Sequence, residues 1–304
     1  MTSSIEAADS AARAERSAPT PGATSLPLRI ATSVVAVPLL LFLAWIGGVA
    51  YLAFTLVLLA LALREFNLLL ESKGLLPHWR AGMVAVLLAP VATFQRLRTG
   101  RIQEWHLGAL LTILVIGVLL AELRRGAGRH AIANSAATLL GVFYIGWLGT
   151  HIVALRELPW ALGESYARGA AYAILPLVLV WSCDTAAYGV GRVFGRHRLM
   201  PDVSPKKTAE GAWGGLVAAI GAAFLCRATF APFLTLLDAA ILGFLIGVFG
   251  QLGDLVESLL KRDSDAKDTS QLIPGHGGVL DRFDSLFFAA PIAYYYLLYR
   301  MATP

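Results

Sequence analysis

The distribution of apolar residues limits this chain more than any other feature: long apolar runs are separated by short connectors that carry most of the charge. Of 304 residues, 57% are hydrophobic and only 15% are charged, with a mean hydropathy of +0.66. A soluble domain carries about a quarter charged residues. Windows of ~20 residues, the length that spans a hydrocarbon core, give nine candidate spans. They lie near 28–46, 48–66, 80–95, 107–122, 131–154, 169–190, 213–230, 235–258 and 284–301. The expected fold class is therefore all-α, a polytopic membrane protein of about nine transmembrane helices. Gly47 and Gly48 leave almost no loop between the first two runs, which read as two spans or as one kinked, re-entrant pair. No internal repeat is evident, which weighs against a carrier built from inverted repeats.

Residues 1–27 differ in kind, being rich in Ala, Ser, Thr and Pro. Too few apolar groups are present to bury, so this stretch is expected to be a disordered polar tail. It does not read as a secretory signal, because no basic segment leads directly into a short apolar one. The remainder divides into N-terminal and middle helices, 28–168, and a C-terminal catalytic region, 169–304. Cys183 and Cys226 both lie in apolar surroundings and read as packing residues. A net charge of +5 suits anionic headgroups or a phosphate-bearing substrate and needs no nucleic acid. With nine spans, 18 of the 25 Lys and Arg fall on the side of the N-terminus. The positive-inside rule puts that side, with the connectors near 191–212 and 259–283, in the cytoplasm.

Three segments carry candidate chemistry. In WSCDTAAYGVGR, Asp184 sits inside an apolar run. A charge there costs about 2.5–3.5 kcal/mol, so it should face a polar cavity or partner. The glycines at 189, 191 and 195 follow, and helix packing through small residues explains them as well as nucleotide binding does. In SPKKTAEG, Ser204, Pro205 and Thr208 suit a turn and a helix start, with Glu210 in the first turn. Lys206 and Lys207 beside the N–H groups of a helix N-terminus form an anion site, or they meet lipid phosphates as juxtamembrane lysines.

The third segment runs from 251 to 285 and says most. Asp254, Glu257, Ser258 and Lys261 share one helix face, a polar stripe at the end of the eighth span. Lys261, Arg262 and Lys267 then alternate with Asp263, Asp265 and Asp268. Pro274, Gly275, His276, Gly277 and Gly278 form a turn where backbone approaches closely, and Asp281, Arg282 and Asp284 open the ninth span. Carboxylates hold Mg²⁺, a hard ion bound through one or two acids plus phosphates, while Lys and Arg neutralise a departing pyrophosphate. Zinc is disfavoured, because His276 has no second His or Cys at ligand spacing.

The run Ser258-Leu259-Leu260-Lys261-Arg262, then Lys267-Asp268, then Pro274-Gly275-His276-Gly277-Gly278-Val279-Leu280-Asp281-Arg282-Phe283-Asp284 resembles the signature of the phosphatidate cytidylyltransferases. The SPKKT segment and the aspartate of WSCDTAAYGVGR resemble the same family over about 180–285. Asp265 and Ala266 depart from its usual pattern, as does the long tail. The resemblance implies an enzyme that transfers CMP from CTP to phosphatidic acid, giving CDP-diacylglycerol and pyrophosphate for phospholipid synthesis. It implies a homodimer of nine-span subunits in the bacterial inner membrane, with a cavity open to cytoplasm and bilayer. It also implies a Mg²⁺ centre, joined by K⁺, on Asp254 and Asp281, with Asp184 as a third carboxylate. Lys261, Arg262, Lys267, Asp268, His276 and Arg282 complete the catalytic set. Ser204, Lys206, Lys207, Thr208, Glu210, Gly277 and Gly278 serve nucleotide or phosphate. The rival readings are a CTP-using lipid kinase, which would release CDP, and an ion-coupled carrier, which leaves the basic loop without a purpose.

Overall fold

A computed structural model describes residues 26–100, 104–126, 130–266, 268–270, 272 and 277–302. Residues 1–25, which hold most of the polar tail, and Lys267, Gly275 and His276 lie outside the described residues.

Among the described residues the chain forms nine helical rods, and each of the nine apolar runs falls on one. The helices are α1 (Leu26–Ile46), α2 (Gly48–Ser72), α3 (Trp79–Thr99) and α4 (Glu104–Arg125). Then α5 (Ala131–Gly141) and α6 (Leu148–Ala161) are joined without a break by a wider π-helical turn, Val142–Trp147. The last four are α7 (Arg168–Phe194), α8 (Ala209–Thr229), α9 (Leu236–Asp263) and α10 (Leu280–Ala302). Five rods are long and apolar enough to cross a membrane by length and composition: α2, the continuous 131–161 rod, α7, α8 and α9. This is the fold of an all-α membrane protein.

One departure from an all-helical chain is a small antiparallel hairpin, β1 (Arg198–Met200) with β2 (Ser204–Thr208). The SPKKT segment thus extends before it turns helical. Pro205 lacks an N–H and disfavours helix in the residue before it, and the helix begins only after Thr208, whose hydroxyl accepts from Gly211 N at 3.1 Å.

The α1–α2 junction is a sharp break held by one buried cation. Gly47 (φ +68°) and Gly48 (φ +59°) both adopt left-handed backbone, which glycine alone enters freely. Arg156 of α6, 1% exposed, donates to Ala44 O at 2.6 Å, Trp45 O at 3.1 Å and Tyr166 O at 3.1 Å. It thereby caps the unsatisfied carbonyls at the end of α1. Beside it, Glu157 accepts from Tyr166 OH at 2.9 Å and pairs with Arg98 at 2.9 Å.

Around α7–α10 the helices approach through small residues, as they do where the solvent offers no hydrophobic driving force. A Cβ on Gly211 would stand 2.7 Å from Ala187 O and 3.0 Å from Thr208 Oγ1. Gly191 meets Thr208 Oγ1 in the same way at 2.9 Å. The glycine tract of α7 therefore serves helix packing at this position. Both cysteines are buried and free.

Two substitutions test this scaffold by thermal unfolding in detergent. Arg156→Leu strips three carbonyls of a charged donor and is expected to cost about 3 kcal/mol. Gly211→Val forces α7 and α8 apart and is expected to cost about 2 kcal/mol. An unchanged transition for either would contradict the packing described.

Candidate active site

The polar stripe of α9 forms as its spacing requires. Ser258 Oγ donates to Asp254 Oδ1 at 3.3 Å, and Lys261 Nζ lies 2.5 Å from Glu257 Oε2 one turn away. Lys261 also donates to Asp281 Oδ1 at 2.8 Å, so it bridges the end of α9 and the start of α10. Asp254 is paired with Lys207 at 2.7 Å. One carboxylate oxygen from each of Asp254, Glu257 and Asp284 lies within 4.8 Å of the others. Asp281 and Asp284 are three residues apart on α10, so both look toward α9, one at its last turn and one deeper.

Asp254, Lys207, Lys261, Asp281 and Asp284 line a cavity of about 840 Å³ between α7, α8, α9, α10 and the β1–β2 hairpin. Asp184, Asp254, Asp268, Asp281 and Asp284 supply its acid. Arg192, Arg198, Lys206, Lys207, Lys261 and Arg282 supply its base, and Thr208, Gly191 and Gly195 complete one wall. Three segments far apart in sequence therefore meet in one space. At its rim, Trp181 and Arg282 also border a narrower apolar groove of about 370 Å³ against α1 and α2.

Other residues read from the sequence sit elsewhere. Arg262 donates to Val203 O at 3.3 Å and Ala266 O at 3.2 Å, bracing the hairpin against the end of α9. Glu210 accepts from the backbone of Arg196 at 3.0 Å and from His197 Nδ1 at 2.6 Å, which holds the hairpin to the first turn of α8. Ser204 opens β2, paired across from Met200, outside the cavity lining. Gly277 (φ +82°) and Gly278 turn the backbone around Asp281, with Gly278 N donating to Asp281 Oδ2 at 2.8 Å. Thr269 adds its N–H and its hydroxyl to the same oxygen, each at 3.1 Å.

Two residues escape the sequence reading. Asp284 was visible only as the last member of a run. Glu65 of α2, 2% exposed, carried no local signal at all. It accepts from Ser270 Oγ at 2.5 Å, Thr269 Oγ1 at 3.1 Å, Val279 N at 3.0 Å and Leu280 N at 2.8 Å. Its partners lie more than 200 positions downstream.

The donor set can be judged chemically. The trio Asp254, Glu257 and Asp284 faces two lysines that are already engaged, Lys207 with Asp254 and Lys261 with both Glu257 and Asp281. Neither oxygen of Glu257 has an aligned hydrogen-bond donor, although Lys261 is close. Glu257 and Asp284 are buried and crowd against Asp254, a local concentration of carboxylates that a further cation would relieve, and oxygen donors select a hard one. The residues present fit a Mg²⁺-type ion.

The fold and site have known relatives. A model of the cytidylyltransferase family matches residues 27–300. A protein of Synechocystis sp. named phosphatidate cytidylyltransferase is 35% identical over 294 residues, covering 89% of this chain and 96% of its own. One of the same name from Bacillus subtilis is 34% identical, covering 88% and 96%. Another from Brucella suis is 33% identical, covering 89% and 93%. With the family model spanning residues 27–300 and these relatives more than 30% identical over most of both chains, this chain belongs to the cytidylyltransferase family.

Proposed function

We propose that this chain is a phosphatidate cytidylyltransferase, a nucleotidyltransferase that moves CMP from CTP to phosphatidic acid and releases pyrophosphate. The observation that carries the reading is the single cavity that joins the acidic stripe of α9 to the lysines of β2, in a chain of this family.

The phosphate monoester of phosphatidic acid is itself an anionic nucleophile, so no side-chain base is required. Its oxygen forms a bond to the α-phosphorus of CTP in line, the bond from that phosphorus to the bridging oxygen breaks, and pyrophosphate leaves with the electron pair. Lys206, Lys207 and Arg282 line the space where these phosphates would gather, and cations fixed there offset the charge that develops on them. Lys261 holds Asp281 and Glu257 together at the floor. When bound, a Mg²⁺ ion held by Asp254, Glu257 and Asp284 would polarise the phosphoryl oxygens. Asp281 joins this set through Lys261, and Asp184 faces the same cavity. A K⁺ ion beside the first belongs to the same reading.

The apolar groove at the cavity rim supports a substrate whose tails remain in the bilayer while its headgroup enters the polar space. We further read the nine rods as nine spans of a homodimeric inner-membrane protein. The weight of 18 Lys and Arg against seven favours a cytoplasmic cavity.

Purified protein incubated with labelled CTP, phosphatidic acid and Mg²⁺ is expected to form a CDP-lipid and pyrophosphate. A lipid phosphate with free CDP would instead identify a kinase and overturn the reading. Asp254→Asn is expected to lower kcat/KM at least ~100-fold, with a raised Mg²⁺ requirement for any residual rate. Full activity at unchanged metal dependence would remove Asp254 from the site.

A further inference from the structure

We infer that Glu65, in the N-terminal half of the chain, is a positioning residue for the cytidylyl-transfer site, an assignment that rests on the function proposed above. It lies within α2, a helix long and apolar enough to span a membrane, where a carboxylate is costly unless it is fully partnered. The partners are all on one segment. Ser270 offers a hydroxyl, Val279 and Leu280 offer backbone N–H groups, and Thr269 shares its one hydroxyl proton between Glu65 Oε2 and Asp281 Oδ2. This fills much of the acceptor capacity of an ionised carboxylate.

Val279 immediately precedes α10 and Leu280 is its first residue, so both N–H groups lack partners within that helix. Glu65 therefore caps α10 from another helix and places negative charge at the positive end of its dipole. The consequence reaches the cavity through Thr269, whose hydroxyl stands 3.1 Å from both Glu65 Oε2 and Asp281 Oδ2. Asp281 holds Lys261, and Lys261 holds Glu257. A continuous chain of polar contacts thus runs from α2 to the acidic trio. The requirement for glycine at 278 has the same origin, because a side chain there would run into Thr269 and Glu65. Lys73, the residue that follows α2, makes looser contacts of 3.9 and 4.0 Å with Asp263 and Asp265. Glu65 therefore makes the tighter of these two ties between α2 and the loop.

The test is Glu65→Gln in the full-length protein, reconstituted with CTP and phosphatidic acid. The carboxamide presents a donor where two donors already point. The KM for CTP is expected to rise ~10–100-fold, with a smaller fall in kcat. Amide exchange at Val279 and Leu280 is expected to quicken ~10-fold or more, read separately from the unfolding temperature. Thr269→Val, which removes only the bridging hydroxyl, should move both readouts the same way by a smaller factor. It carries the test alone if Glu65→Gln does not fold. Unchanged KM overturns the inference, whether exchange is fast or slow, because Glu65 would then serve the fold only. Unchanged exchange overturns it too. Wild-type protein that forms no CDP-lipid would instead defeat the proposed function, while the exchange difference would still report the contact.

Discussion

Three carboxylates, Asp254, Glu257 and Asp284, crowd together beside a polar cavity among helices that are otherwise built to lie in hydrocarbon. Two lysines pair with them directly. Removing a charge from water costs several kcal/mol, and carboxylates crowded together repel each other as well. A sequence keeps such an arrangement where a cation and a polyanionic ligand complete it. The rest of the architecture follows from holding these groups at the junction of α9 and α10 without letting the helices separate.

Several structural devices serve that end. Glycines on α7 and α8 let backbones touch, so that Asp184 on α7 and Lys207 on β2, just before α8, reach the same space. The hairpin projects Lys206 and Lys207 over the cavity and is anchored by Glu210 at one end and Arg262 at the other. At the opposite end of the bundle Arg156 does for the α1 carbonyls what Glu65 does for the α10 N–H groups. In both cases a buried ion from one helix satisfies the open end of another. Helix ends inside a membrane protein have little water to turn to, which is why each ion is so completely engaged.

Much of this was legible from sequence. The helices were, because apolar runs of ~20 residues have few other uses. The α9 stripe was, because Asp254, Glu257, Ser258 and Lys261 repeat at the helical period. The strand character of Ser204–Thr208 was missed because a proline before two lysines and a threonine also reads as a helix start. Glu210 was read toward phosphate because acids and anion sites both favour the first helical turn, whereas its partners are His197 and Arg196 in the hairpin. Glu65 was invisible for a deeper reason. A single acid in an apolar helix has no local pattern, and its meaning is set entirely by residues that folding brings from 204 to 215 positions away. Asp284 was overshadowed by Asp281, since only the turn of α10 reveals that the two face different levels of α9.

Asp254, Glu257 and Asp284 are proposed to hold a divalent cation jointly. Anomalous diffraction at the manganese edge from crystals soaked in Mn²⁺ tests it most directly. The expected result is a peak within ~2.0–2.6 Å of oxygens from all three residues, absent from Asp284→Asn crystals. A manganese peak away from the trio, or none while the enzyme turns over in the same solution, would contradict it.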